Sequence, residues 1–209
     1  MKYIIKGSEP QELTDFKALA TAEWTPEYSN LDKPVKKAMK TALMKEQGYI
    51  CCYCERTLTE DDSHIEHFKP QSDTDVDSLD FSNMLCSCQK NVKKGTPLHC
   101  GNSKGDWFDD ALLVSPLQAN CASKFGFKGD GTIYAVDNDV SALTTIDKLD
   151  LDIEKLNSLR KSAIEPFLDD SLTDEEVSAF IEGYLSKSGA GKYEPFQTTI
   201  QYLFSEMVA

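Results

Sequence analysis

Cys51-Cys52-Tyr53-Cys54-Glu55, Ile65-Glu66-His67-Phe68-Lys69-Pro70, Asp80-Phe81-Ser82-Asn83-Met84-Leu85-Cys86-Ser87-Cys88 and His99-Cys100-Gly101-Asn102-Ser103-Lys104-Gly105 are the four runs whose reading decides the fold. The 209-residue chain holds seven cysteines, and all but Cys121 fall between Cys51 and Cys100. An odd, clustered set is a poor disulfide framework in a reducing compartment. Clustered cysteines there are more often metal ligands. Cys51-x-x-Cys54 supplies one knuckle, and a second pair must come from Cys86, Cys88 and Cys100, because tetrahedral zinc takes four thiolate or imidazole ligands.

Working outward, residues 35–47 place Val35, Met39 and Leu43 four apart, which predicts an amphipathic helix stopped by Gly48. Ser63 to Phe68 reads as a short strand that Pro70 ends. Gln71 to Asp80 is an acid-rich loop, and 89–98, with Gly95 and Pro97, is a basic loop-like insertion. Asp130-Gly131 signals a hairpin. Beyond it Ile146, Leu149, Ile153, Leu156, Leu159 and Ala163 follow helical spacing, and Thr173-Asp174-Glu175-Glu176 is a capping-box pattern opening another helix. A last helix is expected from about Pro195, with Phe196, Ile200, Leu203 and Met207 inward. The expectation is an α+β, mainly α chain, divided into a metal-rich region 1–110 and an acidic, mostly helical region 111–209.

Composition bounds the partners. The net charge of −13 argues against a phosphate binder for the chain as a whole. Yet residues 1–105 carry 14 Lys+Arg against 16 Asp+Glu, while 106–209 carry 8 against 19, so the acidity lies in the second half. Lys33 to Lys45 holds five lysines and no acid, and Ser87 to Gly105 holds Lys90, Lys93, Lys94 and Lys104 and no acid. These stretches are the candidate phosphate grips, so the acidic half is left as a surface for a protein partner. The chain opens Met-Lys-Tyr-Ile-Ile-Lys, without an apolar stretch of signal-peptide length. Nor does it hold a run near ~20 apolar residues, so a soluble, cytoplasmic protein with no membrane association is expected.

All three histidines lie within residues 64–99, among metal-ligand types. Glu66 next to His67 at a strand end puts two side chains on opposite faces, so that a metal can be held on one side while a water is deprotonated on the other. His64-x-Glu66 also opens a zinc-deaminase-like pattern, but that signature needs a later Pro-Cys-x-x-Cys and none follows.

From Gly48 to Asp106 the order of these motifs resembles the HNH endonuclease family: a CxxC, then an acid-His pair followed by a hydrophobe and a proline, then an Asn-hydrophobe pair, then closing cysteines and a lysine. The wider chain, with Leu-Leu-Val-Ser-Pro-Leu at 112–117, Gly-Asp-Gly-Thr-Ile at 129–133 and Thr-Ile-Asp-Lys-Leu-Asp-Leu-Asp at 145–152, is similar to the PtuB-like nucleases of Septu and retron-associated antiphage systems. The resemblance implies a small zinc-stabilised ββα-metal core with surrounding helices. Cys51, Cys54, Cys88 and Cys100 would hold structural Zn²⁺, with Cys52 and Cys86 as neighbours. It implies His67 as general base with Asn83 orienting its ring, and Glu66 and Asn102 holding a catalytic Mg²⁺ or Mn²⁺. His99 is the other candidate for the third motif position, and His64 is read as structural. Lys69, Lys93, Lys94 and Lys104 are the expected substrate contacts. The implied activity is phosphodiester hydrolysis, DNA favoured, by the toxic effector of an antiphage system. The implied partners are a PtuA-type ATPase and a retron reverse transcriptase with its RNA/DNA. A tRNA-like RNA substrate and a non-catalytic zinc-binding interaction module are the alternatives.

Overall fold

The computed structural model describes residues 1–169 and 171–207 and has an α+β, mainly helical architecture. Two helices lead in, α1 (Gln11–Lys17) and α2 (Lys33–Glu46). The Asp32 side chain caps α2 by accepting the Val35 amide at 2.9 Å, and Pro34 sits in the first turn, where its missing N–H costs nothing. Val35, Met39, Leu43 and Met44 form its buried stripe. The helix ends as expected at Gly48, whose φ of +65° favours glycine; a Cβ there would also sit 2.3 Å from the Tyr193 ring.

Strands β1 (Ser63–His67) and β2 (Met84–Cys88) pair antiparallel, with Glu66 opposite Leu85 and His67 opposite Met84. The short helix α3 (Gly101–Lys104) follows, giving a strand–strand–helix order around the cysteine-rich runs. The expected hairpin forms from β3 (Phe125–Phe127) and β4 (Ile133–Ala135). The helical spacing from Ile146 to Ala163 resolves into two helices, α4 (Val140–Lys148) and α5 (Glu154–Ile164). They are separated by a turn with Asp150 at φ +48°, and the turn frees the Leu149 carbonyl to accept the Cys100 amide at 2.7 Å. The capping box forms: Thr173 and Glu176 exchange hydrogen bonds of 2.9 and 3.3 Å at the start of α6 (Asp174–Leu185). The last helix, α7 (Gln197–Leu203), buries Ile200 behind a buried Phe196. No helix among the described residues is long and apolar enough to cross a membrane.

The main apolar core draws on both sides of residue 110, joining Met39 and Leu43 of α2 and Met84 and Leu85 of β2 to Val114, Phe125, Leu149 and Leu156. A smaller cluster around Phe167 and Ile181 packs α6 and α7. Hydrogen bonds from late residues fasten the Cys51–Cys54 turn from outside: Tyr193 N donates to Gly48 O at 2.9 Å and Phe196 N to Glu55 O at 3.1 Å. The buried Glu55 carboxylate accepts the Thr198 amide at 2.9 Å and pairs with the Met1 ammonium at 2.7 Å.

Inside, Gln47 ties that turn to β2. Its side-chain amide donates to Ile50 O and Cys86 O, both at 2.9 Å, and its carbonyl accepts the Cys86 amide at 2.7 Å. Gln47→Leu keeps the volume but strands buried backbone groups, each costing about 1–3 kcal/mol. The expected loss is roughly 2–4 kcal/mol in urea unfolding; a change below about 0.5 kcal/mol would remove Gln47 from this role.

Candidate metal centre and active site

Cys51 and Cys54 come from the turn after α2, Cys88 from the end of β2 and Cys100 from the residue before α3; all four are buried, with ligand atoms within 4.8 Å of one another. The Cys54 and Cys88 sulfurs are 3.8 Å apart. A tetrahedron with Zn–S bonds near 2.3 Å has edges of about 3.8 Å, so the donor set and spacing fit zinc. Burial opposes ionisation of Cys51, but hydrogen bonds from Cys100, Cys52, Cys54 and Cys88 outweigh it and hold its thiol well below the usual range, while burial pushes Cys100 up. The same crowding thus pushes Cys51 and Cys100 in opposite directions, a conflict that a cation among the sulfurs would relieve. Cys86 lies two residues back along β2 from Cys88, about 6.6 Å at strand rise, and falls outside the cluster.

His99 joins this centre rather than the third motif position. Its Nδ1 lies 3.2 Å from Cys100 Sγ and 3.7 Å from Cys88 Sγ. Burial lowers its pKa to about 4, so the ring is neutral and Nδ1–H can donate to thiolate sulfur.

The end of β1 carries the second constellation. Glu66 is buried, with Oε1 accepting from Tyr53 Oη at 3.1 Å and paired with Lys104 Nζ at 3.1 Å; Oε2 lies 3.7 Å from His64 Nε2. Burial works against its ionisation, but His64 and Lys104 prevail and hold the carboxyl below the usual carboxylate range. His64 and Glu66 are two apart on a strand and so share a face. Gly101 closes on them so tightly that a Cβ would lie 2.3 Å from Glu66 Oε2 and 3.1 Å from His64 Nε2. Only glycine leaves this cradle open. A carboxylate oxygen and an imidazole nitrogen suit Mn²⁺, and the oxygen suits Mg²⁺.

His67 faces the other way. Its Nε2 is 3.1 Å from the Ser78 carbonyl, which can only accept, so Nε2 carries the proton and Nδ1 the lone pair. The Gln71 amide donates to Nδ1 at 3.1 Å, and the Tyr28 ring meets the imidazole edge-on at 4.7 Å. Burial holds the imidazole below its usual pKa, against the Ser78 hydrogen bond and the Glu66 charge. The ring is a neutral base at pH 7.

Several expected residues act elsewhere. Asn83 does not meet the His67 ring: its amide pairs with both Lys69 N and Lys69 O, at 2.8 and 2.9 Å, and so fixes the backbone just beyond β1. Asn102 donates to Gln89 O at 2.6 Å and fastens the 89–98 insertion rather than meeting Glu66. Lys104, expected at the substrate, is 1% exposed at its side chain, paired with Glu66 and donating to His67 O at 3.2 Å. The chain spends it on holding Glu66 charged. Lys69, Lys93 and Lys94 are exposed. His64, read as structural from the sequence, lies beside Glu66, as the strand period of two sets it. Gln71 and Ser78 were missed by the sequence reading, since no local pattern marks a loop carbonyl that folds back on a ring.

A buried carboxylate beside an imidazole on one face of the strand end, with a neutral imidazole on the other, is a set of groups that can hold a metal and accept a proton. No family model matches the chain. It is 33% identical over 170 residues to a protein of Vibrio cholerae serotype O1 biovar El Tor named as the HNH endonuclease of retron Vc95, with 76% of this chain and 80% of that one covered. It is 27% identical over 240 aligned positions to the protein of Escherichia coli named as that of retron Ec83, covering 95% and 92%. The chain belongs to the retron-associated HNH endonucleases, and it is a nuclease.

The cluster geometry predicts about one tightly held zinc per chain by elemental analysis. Cys88→Ser should lose that metal and melt early, whereas Cys86→Ser should keep it. Zinc retained by Cys88→Ser and lost by Cys86→Ser would reverse the assignment.

Proposed function

We propose that the protein is a metal-dependent HNH endonuclease that hydrolyses phosphodiester bonds, DNA favoured, with His67 as general base in a ββα-metal core. The observation that carries this reading is a single groove lined both by Tyr28, whose ring rests on His67, and by His64, which adjoins Glu66. Lys33, Lys36, Lys37, Lys40 and Lys90 line the same groove against Glu60 and Asp61, a net positive lining in a chain of net −13. A phosphate backbone lying along α2 would meet them and release counterions.

His67 Nδ1 takes a proton from the attacking water, whose oxygen forms the new bond to phosphorus as the ester oxygen departs. Ser78 holds the tautomer, and exposed Gln71 yields its place at Nδ1 to that water. Glu66 and His64 would hold Mg²⁺ or Mn²⁺, which when bound polarises the phosphate and stabilises the leaving oxygen. Lys104 keeps Glu66 ionised, and Asn83 positions His67 through the Lys69 backbone. Zn²⁺ in the four-cysteine site is structural. Lys69, Lys93 and Lys94 are further phosphate contacts.

The names of the relatives support a retron setting, and the resemblance to PtuB-like nucleases supports a PtuA-type ATPase, with reverse transcriptase and its RNA/DNA, as partners in antiviral defence. The net −11 of residues 106–209 makes that half the docking side, its association weakened by salt.

General-base removal typically costs about 10²–10⁴ in rate. His67→Ala should therefore lose at least about a hundredfold in cleavage of a DNA substrate while keeping its melting temperature, and Gln71→Ala should stay within about tenfold. Cleavage by folded His67→Ala near the parent rate sinks the assignment. Lys36→Ala with Lys37→Ala should weaken substrate binding and flatten its salt dependence by a slope of about two, one for each lysine taken away from the phosphate backbone. An unchanged slope would put the substrate elsewhere.

A further inference from the structure

A second cavity lies where the N-terminal segment crosses the end of α2 and the cysteine turn. Its volume is about 300 Å³, the lower end for small-molecule sites, large enough for one nucleotide-sized ligand. Ile4, Ile50, Cys51 and Cys52 line it together with two aromatic residues, Tyr3 and Tyr193. Two lysines from distant parts of the chain meet at one ring: Lys2 Nζ lies 4.5 Å and Lys187 Nζ 4.9 Å from the Tyr193 centroid.

Among the described residues neither ammonium is paired with a carboxylate, although the chain has 35 acids against 22 bases. Glu46 also lines the cavity, but its oxygens are taken by Lys6 at 2.5 Å and the Gly7 amide at 2.9 Å. The Gln47 amide is committed to the backbone. The cavity therefore offers apolar and aromatic surface, two free positive charges and no free negative one. The arrangement is also held in place: Tyr193 N donates to Gly48 O, and its ring lies against Gly48 where no Cβ would fit. The loop carrying Lys187 is closed by a 2.8 Å bond from Ser188 N to Lys192 O.

From this we infer that the cavity binds a phosphorylated nucleoside, its planar body on the apolar and tyrosine surface and its phosphate between Lys2 and Lys187. A planar, weakly polar ring system with a terminal dianion matches that lining, and stacking plus charge-assisted hydrogen bonds supply the affinity. The ligand is a free nucleotide or the 5′-phosphorylated end of a strand. The inference does not rest on the catalytic reading, because none of these residues belongs to the β1 site.

The test is isothermal titration calorimetry on the full-length His67→Ala protein, chosen so that no strand is cut. The probes are 5′-AMP, adenosine, and a thymidine oligonucleotide of about six residues with or without a 5′-phosphate. 5′-AMP should bind saturably and adenosine at least about tenfold more weakly, the value of one charge-assisted hydrogen bond. Lys187→Ala, exposed and so safe for folding, should weaken 5′-AMP about tenfold, and Lys2→Ala with Lys187→Ala should abolish saturable binding, melting unchanged. A 5′-phosphorylated oligonucleotide binding more tightly than 5′-AMP assigns the site to strand ends; the reverse order assigns it to free nucleotides. Lack of saturable binding up to about 5 mM 5′-AMP, equal binding of adenosine, or binding untouched in the double variant would each overturn the inference.

Discussion

Cys51, Cys54, Cys88 and Cys100 bring four sulfurs within 4.8 Å of one another in a place that water does not reach. Without a cation their thiolates repel, and with zinc among them the repulsion becomes coordination. Metal binding of this kind is worth roughly 10–16 kcal/mol in zinc-finger peptides. The whole net stability of a domain is only about 5–15 kcal/mol. Zinc held there would therefore decide whether the region folds. The four cysteines join the α2 end, β2 and α3, so the same metal would fix their relative placement, and α3 carries the glycine and lysine that shape the Glu66 site. Cys100 accepts an unfavourable backbone for this: its φ is +58°, and its amide is anchored to Leu149 O.

Around that centre the protein separates charge by role. Lys104 is buried and locked to Glu66, so it fixes a carboxylate's ionisation and contributes nothing to the surface potential. Lys33, Lys36, Lys37 and Lys40 stay on the groove, where a polyanion can reach them. His67 is kept neutral by burial and held in one tautomer by a carbonyl, the state a general base needs. Net negative charge concentrates in the second half, where bases are few, and that half nonetheless supports the metal turn through Tyr193, Phe196 and Thr198.

Much of this was legible in the chain. The α2 stripe, the Gly48 stop, the Thr173 capping box and the turn at Asp130-Gly131 are local patterns, and local physics decides them. The residues alone left Cys86 and Cys88 open; the resemblance to the HNH family implied Cys88, and the structure gathers that same set. The limits were contacts made by folding rather than by spacing. A lysine four residues after a cysteine reads alike whether it meets phosphate or a buried glutamate. Asn83 grips the Lys69 backbone through a pair that no side-chain pattern foretells. His64 was legible in principle, because strand alternation sets it beside Glu66, but the neighbouring acid-His motif points to His67 alone. Helical spacing from Ile146 to Ala163 hid the turn at Asp150, since the turn keeps apolar residues inward while redirecting the chain toward Cys100.

The central claim, that four particular thiolates surround one zinc, is met most directly by zinc K-edge X-ray absorption on the purified full-length protein. Four sulfur neighbours at about 2.3 Å, with no nitrogen at about 2.0–2.1 Å, is the expected first shell. Three sulfurs and one nitrogen would put His99 in place of a cysteine and contradict the account.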